Sequence, residues 1–205
     1  LILKPALIER AAAELEKLAQ ATADGGPAML VGSVFVQDGA LHNGVALLAR
    51  QALGDVTCGN PCFPDPQKRL IAATAQGVRV ICAYVPNGQE VGSEKFDYKL
   101  AWLAALDKWL GDELAAHPRL ALAGDFNIAP DDRDVHDPKA WEGKILCSCP
   151  ERDAFQRLLA RGLKDSFRLF AQAEKSFSWW DYRMLGFPRN LGLRIDHVLL
   201  SDPLA

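Results

Sequence analysis

No apolar run in this chain approaches the ~20 residues that a membrane-spanning helix needs, so no membrane partner is expected. There is no internal repeat and no low-complexity tract, which excludes a solenoid and a linker-dominated chain. Charge of one sign is not in excess: 23 Lys and Arg stand against 26 Asp and Glu, a net charge of -3. That excludes a protein that coats nucleic acid by bulk positive charge, but not one that touches it through a local basic rim. Basic residues do concentrate between Glu151 and Leu200. Cysteine is sparse and odd in number, with five residues, and no signal peptide is legible, so a reducing, cytoplasmic setting is expected. Neither Cys58-x-x-x-Cys62 nor Cys147-x-Cys149 has the two-residue gap usual for zinc, so free thiols are expected.

What is present is enough apolar material for a substantial core: 49% of 205 residues, suited to one compact domain. Leu7 to Gln20 reads as a helix, Met29 to Val36 as a strand, Gln37-Asp38-Gly39 as a turn and Val45 to Leu48 as a short strand. Leu70 to Thr74 and Val78 to Val85 bracket Ala75-Gln76-Gly77 as a hairpin. Ser93 to Ala116 predicts a long amphipathic helix, and Leu120 to Ala123 a buried strand. Arg152 to Arg161 predicts a helix ended by Gly162, and Leu193 to Leu200 the last strand. Alternating helices and strands with a hairpin predict an α/β fold with mixed sheets.

The chemistry concentrates at strand ends. Gly124-Asp125-Phe126-Asn127 puts a carboxylate at the end of an apolar run, and Arg194-Ile195-Asp196-His197 sets another within a second run. Extended backbone would point Asp125 and Asn127 to one face, where they could activate or orient a water and hold a phosphate oxygen, and two such carboxylates with a nearby Asn suggest a divalent cation site built for phosphate chemistry. An Asp/Asn-rich turn is the alternative. The acidic loop at Asp131, Asp132, Asp134 and Asp137 reads as solvated, and His197 reads either as an acid/base neighbour or as a structural histidine. Tyr84 closes its strand where a phenol could donate to a phosphate oxygen, or could be a core tyrosine. Ser178-Trp179-Trp180-Asp181-Tyr182-Arg183 suits stacking on bases or wedging into a groove, or forms a core-anchored aromatic loop.

From about Asn43 onward the chain resembles the exodeoxyribonuclease III family of the endonuclease/exonuclease/phosphatase superfamily. The matching segments run colinearly through Asn43-Gly44-Val45-Ala46, Arg69-Leu70-Ile71, Tyr84-Val85-Pro86-Asn87-Gly88, Gly124-Asp125-Phe126-Asn127, Phe177 to Arg183 and Gly192 to Asp196. The resemblance implies an α/β fold, a partial four-layer α/β/β/α sandwich of two mixed sheets flanked by helices. It implies hydrolysis of DNA phosphodiesters dependent on Mg²⁺ or Mn²⁺, on double-stranded DNA with abasic sites or 3′ ends, in base excision repair, by a monomer. Carried over by position, Asp125 orients the attacking water with Asn127 beside it, Tyr84 binds the scissile phosphate and Asp196 joins the acid/base network. Asp125, Asn127 and Asp196 form the implied metal set; Arg69, Asn87, Trp179 and Arg183 form the implied DNA-binding set.

Three family elements are missing from the sequence: an N-terminal Asn motif, a strand-end Glu that ligates metal, and a C-terminal His. Residues 1–48 are instead similar to the nitrilase-like glutaminase domain of glutamine-dependent NAD synthetase, without its Glu-Lys-Cys set. The expected division is a foreign helix-strand segment over 1–43 and an exodeoxyribonuclease III-like domain over 44–205, incomplete at both ends. Impaired catalysis is expected. The alternatives are a non-catalytic DNA-binding remnant, a small-substrate phosphatase of the same superfamily and, last, a nitrilase-type amidase.

Overall fold

The computed structural model describes residues 29–37, 40–49, 52–181 and 185–205. The helix expected over Leu7 to Gln20 and the turn at Asp38-Gly39 lie outside them, as does Arg183. The strand expected from Met29 is β1 (Met29–Gln37), which pairs antiparallel with β2 (Ala40–Leu48). β2 begins five residues before the strand expected at Val45 and runs without a break across position 43/44.

A six-stranded mixed sheet forms the centre. It comprises β3 (Gly54–Cys58), β4 (Leu70–Ala75), β5 (Val78–Tyr84), β6 (Leu120–Asp125), β7 (Leu163–Asp165) and, last in sequence, β10 (Asp196–Ser201). Their spatial order is β3-β4-β5-β6-β10-β7. The predicted β4–β5 hairpin is present, and Gln76 and Gly77 both take positive φ (50° and 75°), the twist that a two-residue hairpin loop requires. β5 and β6 run parallel because α1 (Glu94–Ala116) carries the chain back between them. Ser93 caps α1 by accepting from the Phe96 amide at 3.2 Å, and Glu94 and Asp97 complement the positive helix end. Two short helices follow β6: a 3-10 turn at Asp132–Asp134 and α2 (Pro138–Trp141).

The next helix, α3 (Cys149–Ala160), starts three residues before the expected Arg152. Ser148 and Glu151 close a capping box around Pro150, which the first turn tolerates. α1 and α3 cover one face of the sheet. Trp102, Leu103, Leu106, Phe155 and Leu158 meet alternate strand residues Leu70, Ala72, Ile81, Leu120, Leu122 and Leu199. Each fully buried large aliphatic here is worth about 1.5–3 kcal/mol. The opposite face carries the β1–β2 hairpin, with β2 against β4 and β5.

The expected last strand is divided. Gly192–Leu193 is β9, paired with β8 (Trp179–Trp180), and β10 begins only at Asp196. Arg194 interrupts the run by turning inward to Asp134 and Asp165. The architecture is thus mixed α/β, with one large mixed sheet and two antiparallel pairs among the described residues.

Candidate active site

Three side chains form a row at one end of the central sheet. In the parallel register Tyr84 lies beside Asp125, and in the antiparallel register Asp125 lies beside Asp196. Register partners share a face. The face is the one away from α1, and the three residues line a cleft of about 310 Å³ together with Val45, Cys82 and Val198. Gly124 makes the row possible. Its φ is +142°, and a Cβ there would lie 2.0 Å from the Ala83 carbonyl oxygen. Only glycine lets β6 approach β5 closely enough at this point.

Asn127 joins by a route other than the one expected from spacing. Its φ is 50°, so the backbone is not extended there. The Asp125 carboxylate instead accepts from the Asn127 amide at 2.8 Å, an Asx turn that folds the loop back on the strand end. The Asn127 side chain donates to the Val85 carbonyl at 3.0 Å and accepts from Asn87 Nδ2 at 3.0 Å. Each of these bonds leaves one amide N–H and one oxygen lone pair available.

Burial, and then the neighbouring Asp196, push the Asp125 carboxyl up to about 7, against the pull of the Asn127 amide and Lys99. Asp196 is more exposed; partial burial raises its carboxyl, and the Ser178 hydroxyl works the other way. Ser178 Oγ also accepts from the Ile195 and Asp196 amides at 3.0 and 3.1 Å, fixing the start of β10.

The donor chemistry suits a hard divalent cation. Two carboxylates drawn side by side, each raised in pKa, are what a cation would relieve, and Mg²⁺ commonly takes one or two carboxylates and keeps several waters. Asp125 and Asp196 would hold it; Asn127 is not among the residues that line the cleft, and its amide oxygen accepts from Asn87. Among the described residues no group of three His, Cys, Asp or Glu side chains converges as a cage.

Arg69 joins this site through Tyr84. Its guanidinium stacks 4.9 Å from the Tyr84 ring centre and bonds Gln67 Oε1 at 2.6 Å. Its Nε is buried without a hydrogen-bond partner. Asn87 is exposed and braces Asn127. Trp179 does not line the cleft; it packs on the second cluster, of Val135, Leu146, Leu193 and Ile195, next to the Ser178 that anchors Asp196.

Two expectations are refined. The acidic loop is not uniformly solvated: Asp134 is 1% exposed and binds Arg194 and Arg168. Asp131 and Asp137 cap the short helices that follow them. His197 is structural. Its Nε2 donates to the Ile128 carbonyl at 2.8 Å and its Nδ1 accepts from Arg194 at 2.9 Å, which fixes a neutral tautomer. Burial, and then Arg194, push its pKa down to about 4. Lys99 was not singled out from the sequence, and Ser178 and Val45 entered only as members of longer segments. Lys99 alone left a signal, a charge inside the apolar stripe of α1 at Phe96, Leu103 and Leu106.

The family described as Endonuclease/Exonuclease/phosphatase family matches residues 8–205. Exodeoxyribonuclease III of Haemophilus influenzae is 40% identical over 177 residues, which cover 80% of this chain and 66% of that protein. The chain therefore spans just under two thirds of that curated relative's length. A 3′-5′ exonuclease structure, NExo from Neisseria meningitidis, superposes with a TM-score of 0.80 at 47% identity, covering 90% of this chain and 71% of that one. The structure of the 3′ phosphatase NExo from Neisseria bound to a product DNA hairpin gives 0.80 at 45% identity, covering 94% and 70%.

Proposed function

Because the chain belongs to the endonuclease/exonuclease/phosphatase family, on its exodeoxyribonuclease III side, we propose that it hydrolyses DNA phosphodiesters at the Tyr84–Asp125–Asp196 row. The observation that carries this reading is the row itself: a phenol and two carboxylates in register at one sheet edge, over an open cleft. The substrate is duplex DNA with abasic sites or 3′ ends; the 3′ ends are in keeping with relatives named as a 3′-5′ exonuclease and a 3′ phosphatase. The protein acts as a monomer in the cytoplasm. No described helix is long and apolar enough to cross a membrane.

Asp125, beside Asp196 at the edge of the cleft, takes a proton from the attacking water. Asn127 orients that water with its remaining N–H. The Tyr84 hydroxyl donates to a phosphate oxygen, and the Arg69 guanidinium stacked on the ring faces the backbone phosphate. Trp179 and Arg183 contact the duplex, and Asn87 holds the Asn127 loop against it. Bound by Asp125 and Asp196, with Asn127 as third donor, Mg²⁺ or Mn²⁺ would polarise the phosphoryl oxygen and offset leaving-group charge. With two carboxylates at the row among the described residues, turnover is weaker than in a three-carboxylate site. The same observation favours a second reading, a DNA-binding remnant that does not cleave.

The division into 1–43 and 44–205 belongs to this reading. The N-terminal segment supplies β1 and the first half of β2, which cover part of the open sheet face. The decisive experiment incubates the chain with end-labelled abasic duplex and with blunt duplex, with Mg²⁺, with Mn²⁺ and with EDTA. Metal-dependent nicking or 3′ shortening lost in Asp125→Asn is expected. Salt-sensitive binding without cleavage would select the remnant.

A further inference from the structure

We infer that Lys99 is a positioning residue that clamps both loops of the catalytic edge from inside the protein. Its side chain is 0% exposed. Nζ donates to the Asn127 carbonyl at 2.7 Å, to the Asn87 carbonyl at 3.2 Å and to Glu151. An ammonium has three donors, so all three are used. Asn87 sits in the loop after β5 and Asn127 in the loop after β6, and their side chains bond each other at 3.0 Å. One buried cation thus ties together the main chains of both loops that frame Tyr84 and Asp125.

The anchor is built from three elements. Lys99 comes from the second turn of α1 and Glu151 from the first turn of α3. Glu151, itself 0% exposed, also accepts from the Leu146 and Ser148 amides and the Ser148 hydroxyl, at 3.1, 3.1 and 2.6 Å. Its position therefore does not depend on Lys99 alone. Gly88 keeps the path open, because a Cβ there would stand 3.0 Å from Lys99 Cδ. An apolar pair of similar volume could fill such an interior site at no loss of stability. What an apolar pair could not do is bond the carbonyls of two loops at once.

The inference rests on the nuclease reading for its consequence, but its geometry is tested separately. Lys99→Met alone strands Glu151 in the interior and risks unfolding, so the main variant is Lys99→Met with Glu151→Gln, a neutral pair that keeps the acceptor for Ser148. Amide hydrogen exchange is followed at Val85, Phe126, Asn127 and Ala129, whose N–H groups are all bonded at this edge. Exchange at these four should accelerate about 10²-fold, while β4 and β5 amides stay protected and the thermal transition stays cooperative. On DNA, kcat should fall about 10²-fold with KM within about threefold, as expected when the reacting groups are displaced and substrate binding is kept. Unchanged exchange at the four amides overturns the clamp, whatever the activity. Accelerated exchange with unchanged kcat in an active protein also overturns it. A wild-type chain that does not cleave, yet shows the exchange difference, leaves the clamp standing and removes the nuclease reading.

Discussion

Asp196 stands directly opposite Asp125 in the antiparallel register of β10 and β6, two carboxylates side by side at one sheet edge. Without a cation they repel, and Asp125 keeps its proton to about 7. Asp125→Asn removes the repulsion and the proton acceptor together. DNA cleavage should fall about 10²-fold or more, while the thermal midpoint in EDTA at pH 8 should rise. A midpoint that falls would show that the pair is not a source of strain.

The pH dependence of stability follows from two opposed groups. Folded Asp125 titrates near 7 against 3.8 for an ordinary Asp, so between those values the native state binds more protons than the unfolded chain. Its contribution therefore declines as pH rises through that window, by about 1.4 kcal/mol for each unit of separation. Asp196, also raised, acts in the same sense. His197 acts in the opposite sense: folded at about 4 against 6.5, it contributes stability that is fully present above 6.5 and lost as pH falls toward 4. Urea melts in EDTA should therefore give a shallow profile between pH 4 and 6.5 for the wild type. Asp125→Asn should instead lose stability steadily as pH falls, and Mg²⁺ should flatten the wild-type loss toward pH 8.

Gly124→Ala tests the close approach of β6 to β5. The added methyl group meets the Ala83 carbonyl oxygen at 2.0 Å, and the residue sits at a φ that side chains rarely adopt. The backbone must shift, at about 3 kcal/mol or more. Calorimetry should show a midpoint several degrees lower, with cleavage reduced in the fraction that remains folded.

The sequence carried those parts of this site that local pattern encodes. An apolar run that stops at Asp125 marks a strand end, and Ala75-Gln76-Gly77 between two apolar runs marks a hairpin; both are present. The strand expected from Leu193 split because Arg194 pairs with Asp134, 60 residues away, and no local pattern carries that partner. The same partner buries Asp134 out of an otherwise surface-like acidic loop. Lys99 was visible as a charge on an apolar helix face, but its partner Glu151, 52 residues on, was not. Asn127 reached the site through a left-handed backbone, where the side-chain alternation of an extended strand does not apply.

Arg194 supports the row from beneath, and its replacement separates charge from geometry. Its guanidinium bonds Asp134 at 2.7 Å and Asp165 at 2.7 Å and donates to His197 Nδ1 at 2.9 Å, all in the interior. Arg194→Met leaves the buried Asp165 without its guanidinium and Asp134 with Arg168 alone, and breaking such a buried pair costs about 3–5 kcal/mol. Arg194→Lys should recover only part of that loss, because a single ammonium cannot reproduce a planar fork spanning two carboxylates and an imidazole. Urea melts at pH 7 should rank the stabilities wild type, Arg194→Lys, Arg194→Met. The histidine gives an independent reading. Burial, and then Arg194, hold His197 at about 4, so in Arg194→Met its titration, followed by imidazole NMR, should move upward. An unmoved His197 with a large stability loss would mean that Arg194 acts through the two carboxylates alone.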